Sequence, residues 1–137
     1  MFIVYSYYVM DILHKGHLEL LKNAKKIAGP GGILFVGILT DEAVMEKKLK
    51  PMLSFDERIE LARSIAVVDV VVAQDTYSPL PNVMRIEPDI LLESSSHSKE
   101  SILAAKECMD KIGGRLIVIP YYPKHSSTEL KEQMKRM

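Results

Sequence analysis

The sequence predicts an α/β fold in which a parallel sheet of about five strands is covered by helices on both faces. Continuous apolar runs such as Ile33 to Leu39 alternate with segments whose apolar residues recur at helical spacing, such as His14 to Ala28. Strands that are apolar throughout are expected where both faces of a sheet are covered. The 137 residues suit one compact unit, so we predict a single domain over residues 1–137 with a Rossmann-like, doubly wound sheet in three αβα layers.

The first third of the chain alternates strand, helix, strand and helix. Phe2 to Val9 is aromatic and β-branched, which favours a strand. The helix that follows, from His14 to Ala28, is ended by the run Gly29-Pro30-Gly31-Gly32. Ile33 to Leu39 then predicts a strand that is buried on both faces. Thr40 supplies a cap for a short helix that we expect to continue through Lys48.

The rest of the chain repeats this alternation. Ser54 and Glu57 form a capping box, which predicts a helix that runs to about Ile65. Short apolar runs predict three further strands, at Val67 to Ala73, Asp89 to Glu93 and Arg115 to Ile119. Helical spacing, a cap or a stop signal predicts the remaining helices, which are a turn ending near Glu87, Glu100 to Ile112, and a C-terminal helix opened by Ser126.

The charge balance limits the partners that the chain can bind. It carries 18 Lys and Arg residues against 18 Asp and Glu residues, a formal net charge of zero, which argues against nucleic acid or an acidic membrane surface. The longest aliphatic run, Ile33 to Leu39, is about a third of the roughly 20 apolar residues in a membrane helix, and Met1 to Val4 lacks the basic start of a signal peptide. Cys108 is the only cysteine, so no internal disulfide forms. We therefore expect a cytoplasmic protein without nucleic-acid or membrane partners.

The His-Lys-Gly-His segment that begins at His14 is the strongest indication of chemistry. It opens the first predicted helix, where unpaired N–H groups and the helix dipole favour a bound phosphate. His14 and His17 are three residues apart and share one helix face, and Gly16 lets a ligand approach the backbone. Phosphate chemistry is the favoured interpretation and two surface histidines the alternative. A zinc site would need a further ligand, from Cys108 or His97.

Three other features favour phosphate binding more weakly. The hydroxyls of Ser126, Ser127 and Thr128 stand at a predicted helix start, where a plain capping box explains them better when they are taken alone. The basic loop that contains Lys47 suits a polyphosphate, although such clusters are usually solvated surface. Arg58 offers a bidentate phosphate contact, with a surface ion pair to a glutamate of its own helix as the alternative. No Gly-rich dinucleotide or Walker loop follows the first strand, which argues against nicotinamide binding and P-loop hydrolysis.

Together these features resemble the nucleotidyltransferase superfamily that carries a His-x-Gly-His motif. Asp11 to His17 resembles its first motif, and Ser126 to Thr128 resembles its closing Ser/Thr-rich motif. Further segments are most similar to cytidylyltransferases, above all those associated with phosphoenolpyruvate mutase in phosphonate pathways and the glycerol-3-phosphate cytidylyltransferases. These segments are Val36 to Ala43, Lys50-Pro51, Ser54 to Arg58, Gln74 to Thr76 and Pro81 to Asp89.

The resemblance implies a cytidylyltransferase-like nucleotide-binding domain with a role for each residue. His14 and His17 would hold the triphosphate and stabilise the transition state, and Lys47 would neutralise the α-phosphate region as the third catalytic residue. The implied nucleotide-binding residues are Asp11, Gly16, Arg58, Ser126, Ser127 and Thr128.

The implied reaction transfers CMP from CTP to a small phosphate or phosphonate acceptor and releases pyrophosphate. Such enzymes are usually homodimers that use Mg²⁺ or Mn²⁺, and we predict no metal-ligating residue in this chain. Two alternatives remain open. The serines from Ser94 to Ser96 suggest a nucleotide-binding regulatory module without transfer activity, and an adenylyltransferase such as FAD synthetase would prefer ATP.

Overall fold

The structure, a computed structural model, describes residues 1–120. Its strands are β1 (Ile3–Tyr8), β2 (Ile33–Leu39), β3 (Val70–Gln74), β4 (Ile90–Ser94) and β5 (Arg115–Ile119). Its helices are α1 (Lys15–Ala28), α2 (Asp41–Met45), α3 (Phe55–Arg63), α4 (Leu80–Ile86) and α5 (Lys99–Lys111). All the described strands pair in parallel, in the order β3-β2-β1-β4-β5. The predicted doubly wound α/β fold is confirmed.

Helices cover both faces of the sheet. Helices α1 and α3 pack on one face in a cluster that includes Val4, Val36 and Leu92. Helices α4 and α5 pack on the other face, where Tyr5 and Leu91 belong to a second cluster. Successive strand residues point to opposite faces, so each strand contributes to both clusters and the three layers follow. Within residues 1–120 no helix combines the length and the apolar character that a membrane crossing requires.

The strand order reverses beside β1. The chain runs outward from β1 to β2 and β3, and then returns to place β4 and β5 on the other side of β1. Ligands of doubly wound sheets bind at such a switch point, outside the carboxyl ends of the strands. The parallel register pairs Tyr5 of β1 with Leu91 of β4. Two residues further on, the Tyr7 hydroxyl donates a hydrogen bond of 2.7 Å to Glu93 Oε1 across the switch point.

Two predicted element boundaries differ from the structure by three residues. Helix α2 ends at Met45 rather than Lys48, because its last amides bond to carbonyls three residues back, as Lys47 N–H does to Val44 at 3.1 Å, and tighten the final turn. Lys47 therefore belongs to a loop. Strand β3 begins at Val70, three residues later than predicted, since the preceding residues close a turn in which Val68 N–H bonds to the carbonyl of Ile65 at 3.1 Å.

Gly37 makes room for a buried hydrogen-bond network under the sheet. The Tyr5 hydroxyl crosses β2 to donate to Gln74 Oε1 at 2.6 Å and accepts from Asn82 Nδ2 at 3.0 Å. A Cβ atom built on Gly37 would lie 2.1 Å from the Tyr5 hydroxyl oxygen, far inside contact distance. The network thus requires glycine at this position of β2.

Replacing Gly37 by alanine should lower the free energy of unfolding by about 2 kcal/mol, the usual cost of overpacking a closed interior. The measurement is urea denaturation of Gly37→Ala, Tyr5→Phe and the double variant. Phe lacks the hydroxyl, the atom nearest to the new Cβ, but keeps the ring carbon Cζ at 2.8 Å, so the loss in the double variant should be smaller than the sum of the two single losses. Additive losses would show that the contact with the Tyr5 hydroxyl is not the cause.

Candidate active site

Helix α1 begins with a capping box made by the two histidines of the motif. His14 is the N-cap residue, with an extended backbone at φ −140° and ψ 173°. Its Nδ1 accepts a hydrogen bond from Gly16 N–H at 3.0 Å, and Nδ1 of His17 accepts one from His14 N–H at 3.3 Å. Ser or Thr and Glu or Gln normally occupy these two positions. Histidine at both keeps the cap and adds two imidazole rings at the helix start.

The capping bonds fix the proton on each ring. A neutral imidazole has one acceptor nitrogen and one donor nitrogen. Because both Nδ1 atoms accept from backbone amides, the proton of each neutral ring is assigned to Nε2. The ring centroids are 4.0 Å apart with 33° between the planes. The histidine pair, His14 and His17, therefore places two N–H donors in one compact unit, with His14 Nε2 buried in this structure, and such donors suit developing charge on phosphoryl oxygens.

His17 is neutral at physiological pH. Burial, and secondly the neighbouring His14, lower the pKa of His17 to about 4. The ring lies edge-on to Tyr8, with 6.0 Å between the centroids. A proton added to His17 would occupy Nδ1 and remove the acceptor for the His14 amide. The neutral form therefore preserves the helix cap.

The pH dependence of stability should report this neutral state. The pKa of His17 drops from 6.5 to about 4 on folding, so stability that is complete above pH 6.5 is lost as the pH falls toward 4. His17→Gln cannot titrate but retains a side-chain acceptor suited to a capping box. Between pH 7 and 4.5, the urea-derived free energy of unfolding should fall more for the unmodified chain than for this variant. Parallel profiles would contradict the assignment.

Asp11 holds the loop that follows α2. Its carboxylate accepts hydrogen bonds from the backbone N–H groups of Met52 and Leu53, at 3.0 and 2.9 Å. The residue is only 2% exposed. Asp11 was predicted to be a nucleotide-binding residue. In this structure its carboxylate accepts hydrogen bonds from the loop after α2 and so fixes the position of that loop.

Arg58 is enclosed by the protein rather than presented to a ligand. Its side chain is 0% exposed. Nη1 donates to the carbonyl oxygens of Val9 and Leu39, at 2.8 and 2.6 Å, and Nη2 donates to Asp41 Oδ1 at 2.8 Å. Nε donates to the Leu53 carbonyl at 3.3 Å. The predicted direct contact of Arg58 with phosphate is therefore wrong, and so is the alternative of a surface ion pair with a glutamate of α3. The guanidinium instead connects the ends of β1 and β2 to α2.

Lys47 lies with a different set of side chains from the histidine pair. It is exposed, and its Nζ stands over the Tyr77 ring at 5.1 Å from the centroid. Lys47 and Tyr77 line a cavity of about 260 Å³ together with Tyr7, Glu93 and further residues of the α2 loop, α4 and α5. Tyr7 and Tyr8 are consecutive, so they point to opposite faces of β1, toward this cavity and toward His17 respectively. The structure thus brings His14 and His17 together and places Lys47 in the cavity.

Sequence reasoning missed two residues that the cavity brings together, Tyr7 and Glu93. Glu93 is a buried acid, 2% exposed, at the carboxyl end of β4. The sequence contained one signal for Glu93, which is a charged residue at the end of an otherwise apolar strand, next to the sheet edge where a ligand was expected to bind. Tyr7 carried no such signal, because aromatic residues are ordinary in strands.

The described residues do not fit a resident metal ion. Within residues 1–120 no group of three or more His, Cys, Asp or Glu side chains could hold one. Neither Cys108, buried in α5, nor His97, beside Glu93, completes a zinc site with the histidine pair. We therefore derive no step from a protein-bound metal, and the use of Mg²⁺ or Mn²⁺ stays a prediction. The motif of Ser126, Ser127 and Thr128 lies outside the described residues.

A family model described as cytidylyltransferase-like matches residues 9–133, which include the histidine pair. That match covers most of the 137 residues. The chain belongs to the cytidylyltransferase-like family. The resemblance inferred from the motifs is confirmed at this level, and the domain is nucleotidyltransferase-like.

Curated relatives include several proteins named "Bifunctional protein HldE". The one from Koribacter versatilis is 33% identical over 125 residues, which cover 90% of this chain and 25% of that protein. The one from Hyphomonas neptunium is 30% identical over 122 residues, covering 88% of this chain and 24% of that protein. The chain thus spans about a quarter of the length of these relatives.

Solved structures show the same fold. The lipopolysaccharide core biosynthesis protein from Thermoplasma volcanium superimposes with a TM-score of 0.73 at 24% identity, covering 89% of this chain and 97% of that one. A protein of unknown function from Archaeoglobus fulgidus gives a TM-score of 0.66 at 19% identity, covering 89% and 90%. At these identities the likeness concerns the fold.

Proposed function

We propose that this cytidylyltransferase-like domain transfers a nucleoside monophosphate from a nucleoside triphosphate to a small phosphate or phosphonate acceptor and releases pyrophosphate. The observation that carries the proposal is the histidine pair, which combines two Nε2–H donors with the positive end of α1. Family membership supports it, since the matched region contains this motif.

The reaction needs no covalent enzyme intermediate. An anionic acceptor oxygen attacks the α-phosphorus in line, the bond from that phosphorus to the bridging oxygen breaks, and the electron pair leaves on pyrophosphate. No proton has to be removed from the acceptor, so catalysis consists of positioning and of stabilising negative charge. His14 and His17 donate hydrogen bonds to phosphoryl oxygens, and the exposed ammonium of Lys47 neutralises charge between acceptor and α-phosphate.

CTP is the nucleotide that the motif resemblance implies, and ATP is the second candidate. The curated relatives described above are named HldE and not cytidylyltransferase, which leaves the base open. An adenylyltransferase would use the same phosphate chemistry with a different base pocket. Thermal-shift titration with CTP and ATP separates these two, because the preferred nucleotide stabilises the folded state more at equal concentration.

The test of the proposal is a pyrophosphate-release screen. CTP, ATP, GTP and UTP are each offered with Mg²⁺ and a panel of acceptors: sugar phosphates, glycerol 3-phosphate, amino-alcohol phosphates, alkylphosphonates and flavin mononucleotide. We expect release with one nucleotide and one class of acceptor. Release with none of them by a folded protein would refute the proposal. If calorimetry then showed nucleotide binding, the regulatory module without transfer activity would replace it. The cytoplasmic location and the homodimer stay predictions.

A further inference from the structure

The cavity beside Lys47 contains a buried acid with one unused oxygen. Glu93 is 2% exposed, and its Oε1 accepts the Tyr7 hydroxyl at 2.7 Å. Within residues 1–120, Oε2 makes no hydrogen bond and has His97 Nδ1 at 3.5 Å as its ion-pair neighbour. Burying a carboxylate oxygen without a donor is unfavourable. A ligand that brings a donor into the cavity would remove this cost.

Within residues 1–120, the ion-pair neighbour of the Glu93 carboxylate is His97. Burial, followed by the charges of Lys48 and Lys47, lowers the pKa of His97, so this imidazole is neutral at physiological pH. Burial raises the pKa of Glu93 to about 7, although the Tyr7 hydrogen bond acts in the other direction. A carboxyl group in this state gains most from a positively charged partner, which would draw it fully into the ionised form.

Aromatic rings stand around the acid. Tyr7 and His97 meet edge to face at 6.0 Å between centroids, and Tyr77 lies 6.5 Å from His97. Aromatic faces beside a carboxylate are suited to an ammonium group, which gains from both. The hydrogen bond that Tyr7 donates to Glu93 also fixes the carboxylate plane relative to the rings.

Positive charge borders the cavity beside Tyr77. Lys47 and Lys48 hold their Nζ atoms 5.1 and 5.9 Å from the Tyr77 centroid. Glu46, the other acid of the lining, is exposed and accepts the Tyr77 N–H at 2.9 Å. The lining therefore combines a buried acid, Glu93, with a basic group, Lys47, which lies beside the Tyr77 ring. Its volume of about 260 Å³ is below that of pockets for drug-sized ligands, roughly 300 Å³ and more.

We propose that this cavity binds the acceptor of the nucleotidyl transfer, and that the acceptor is a small zwitterion whose protonated amine contacts Glu93 and whose phosphate or phosphonate group faces Lys47. The inference rests on the proposed function and specifies its substrate class. The acceptor oxygen that attacks the α-phosphorus is then held beside the lysine, while the amine sets selectivity.

The test compares three probes of nearly equal size: 2-aminoethyl phosphate, 2-hydroxyethyl phosphate and ethyl phosphate. Binding to the full chain is measured by calorimetry without nucleotide, and kcat/KM by pyrophosphate release with the nucleotide that the screen selects. We expect the amine to bind at least about tenfold more tightly than the hydroxyl probe, as a charge-assisted hydrogen bond predicts. In Glu93→Gln this preference should fall to about threefold or less.

Glu46→Gln is the matched control, because it neutralises the exposed acid of the same cavity. The amine preference should persist in this variant, and the melting temperature of Glu93→Gln should show that it folds. Any of three results would overturn the inference. These are loss of the amine preference in Glu46→Gln but not in Glu93→Gln, tighter binding of the hydroxyl probe than of the amine probe, or no probe binding at millimolar concentration. Glu93-dependent amine binding without pyrophosphate release would support the cavity's ligand class and refute the transfer reaction. Pyrophosphate release with acceptors that lack an amine would support the transfer reaction and refute the proposed ligand class of the cavity.

Discussion

Replacing His14 by serine is expected to lower kcat by about 10²–10³-fold while the melting temperature changes by only a few degrees. Serine is among the best N-cap residues, so the helix start is retained. Its hydroxyl cannot reach where the imidazole Nε2–H points, so the phosphoryl donor is lost, and losing one preorganised donor has this typical effect on kcat. The measurement is pyrophosphate release with the most active nucleotide and acceptor, alongside thermal unfolding.

His14→Ala is the companion variant. It should match the serine variant in turnover and be less stable by about 1 kcal/mol, because alanine removes the cap as well as the donor. The pair separates the two roles that the structure gives to one ring. A serine variant with turnover within about threefold of the unmodified chain would show that His14 only caps the helix.

Replacing Arg58 by methionine is expected to cost about 3 kcal/mol or more of folding free energy. The guanidinium is fully buried and donates to the Val9, Leu39 and Leu53 carbonyls and to Asp41, so its removal leaves four acceptors without their donor. Asp41 retains 28% exposure of its side chain and can be partly hydrated, which keeps the loss near the lower end of the range for buried pairs. Urea denaturation measures the effect.

Arg63→Met is the matched control, since Arg63 ends the same helix α3 and is exposed. Its effect should stay within about 0.5 kcal/mol. Should Arg58→Met not fold, Asp41→Asn offers a milder change, which removes one charge of the pair and should cost about 1 kcal/mol. Equal stability of the two arginine variants would show that the buried contacts contribute nothing net.

Local signals predicted much of the fold. The stop signal after Ala28 and the box of Ser54 and Glu57 were read directly from short spacings, and both occur as predicted, with Glu57 N–H bonded to Ser54 Oγ at 3.1 Å. The histidine motif was placed at the start of α1 for the same reason: a cap is a relation between residues two or three apart. The sequence did not reveal that the two rings cap the helix themselves.

Contacts between distant parts of the chain escaped prediction. Tyr7 and Glu93 are 86 positions apart and meet only because β4 returns beside β1 in parallel register. Arg58 was expected to contact phosphate, or else to pair at the surface, whereas its acceptors at Val9 and Leu39 lie at the ends of strands β1 and β2, 49 and 19 positions away. The order of the strands in the sheet determines which distant residues come into contact, and local sequence patterns carry no information about that order.

The anchoring of the loop after α2 has a consequence for how this fold can change its substrate. Asp11 holds the amides of Met52 and Leu53, and Arg58 holds Asp41, so both ends of the stretch are fixed to the frame of the sheet. The exposed residues 45–50 lie between these two sets of contacts, so the segment can be replaced as a whole without breaking either set. A graft of a different 45–50 segment that keeps Lys47 should therefore alter acceptor choice while leaving the cap at α1 and the folding free energy nearly as they are.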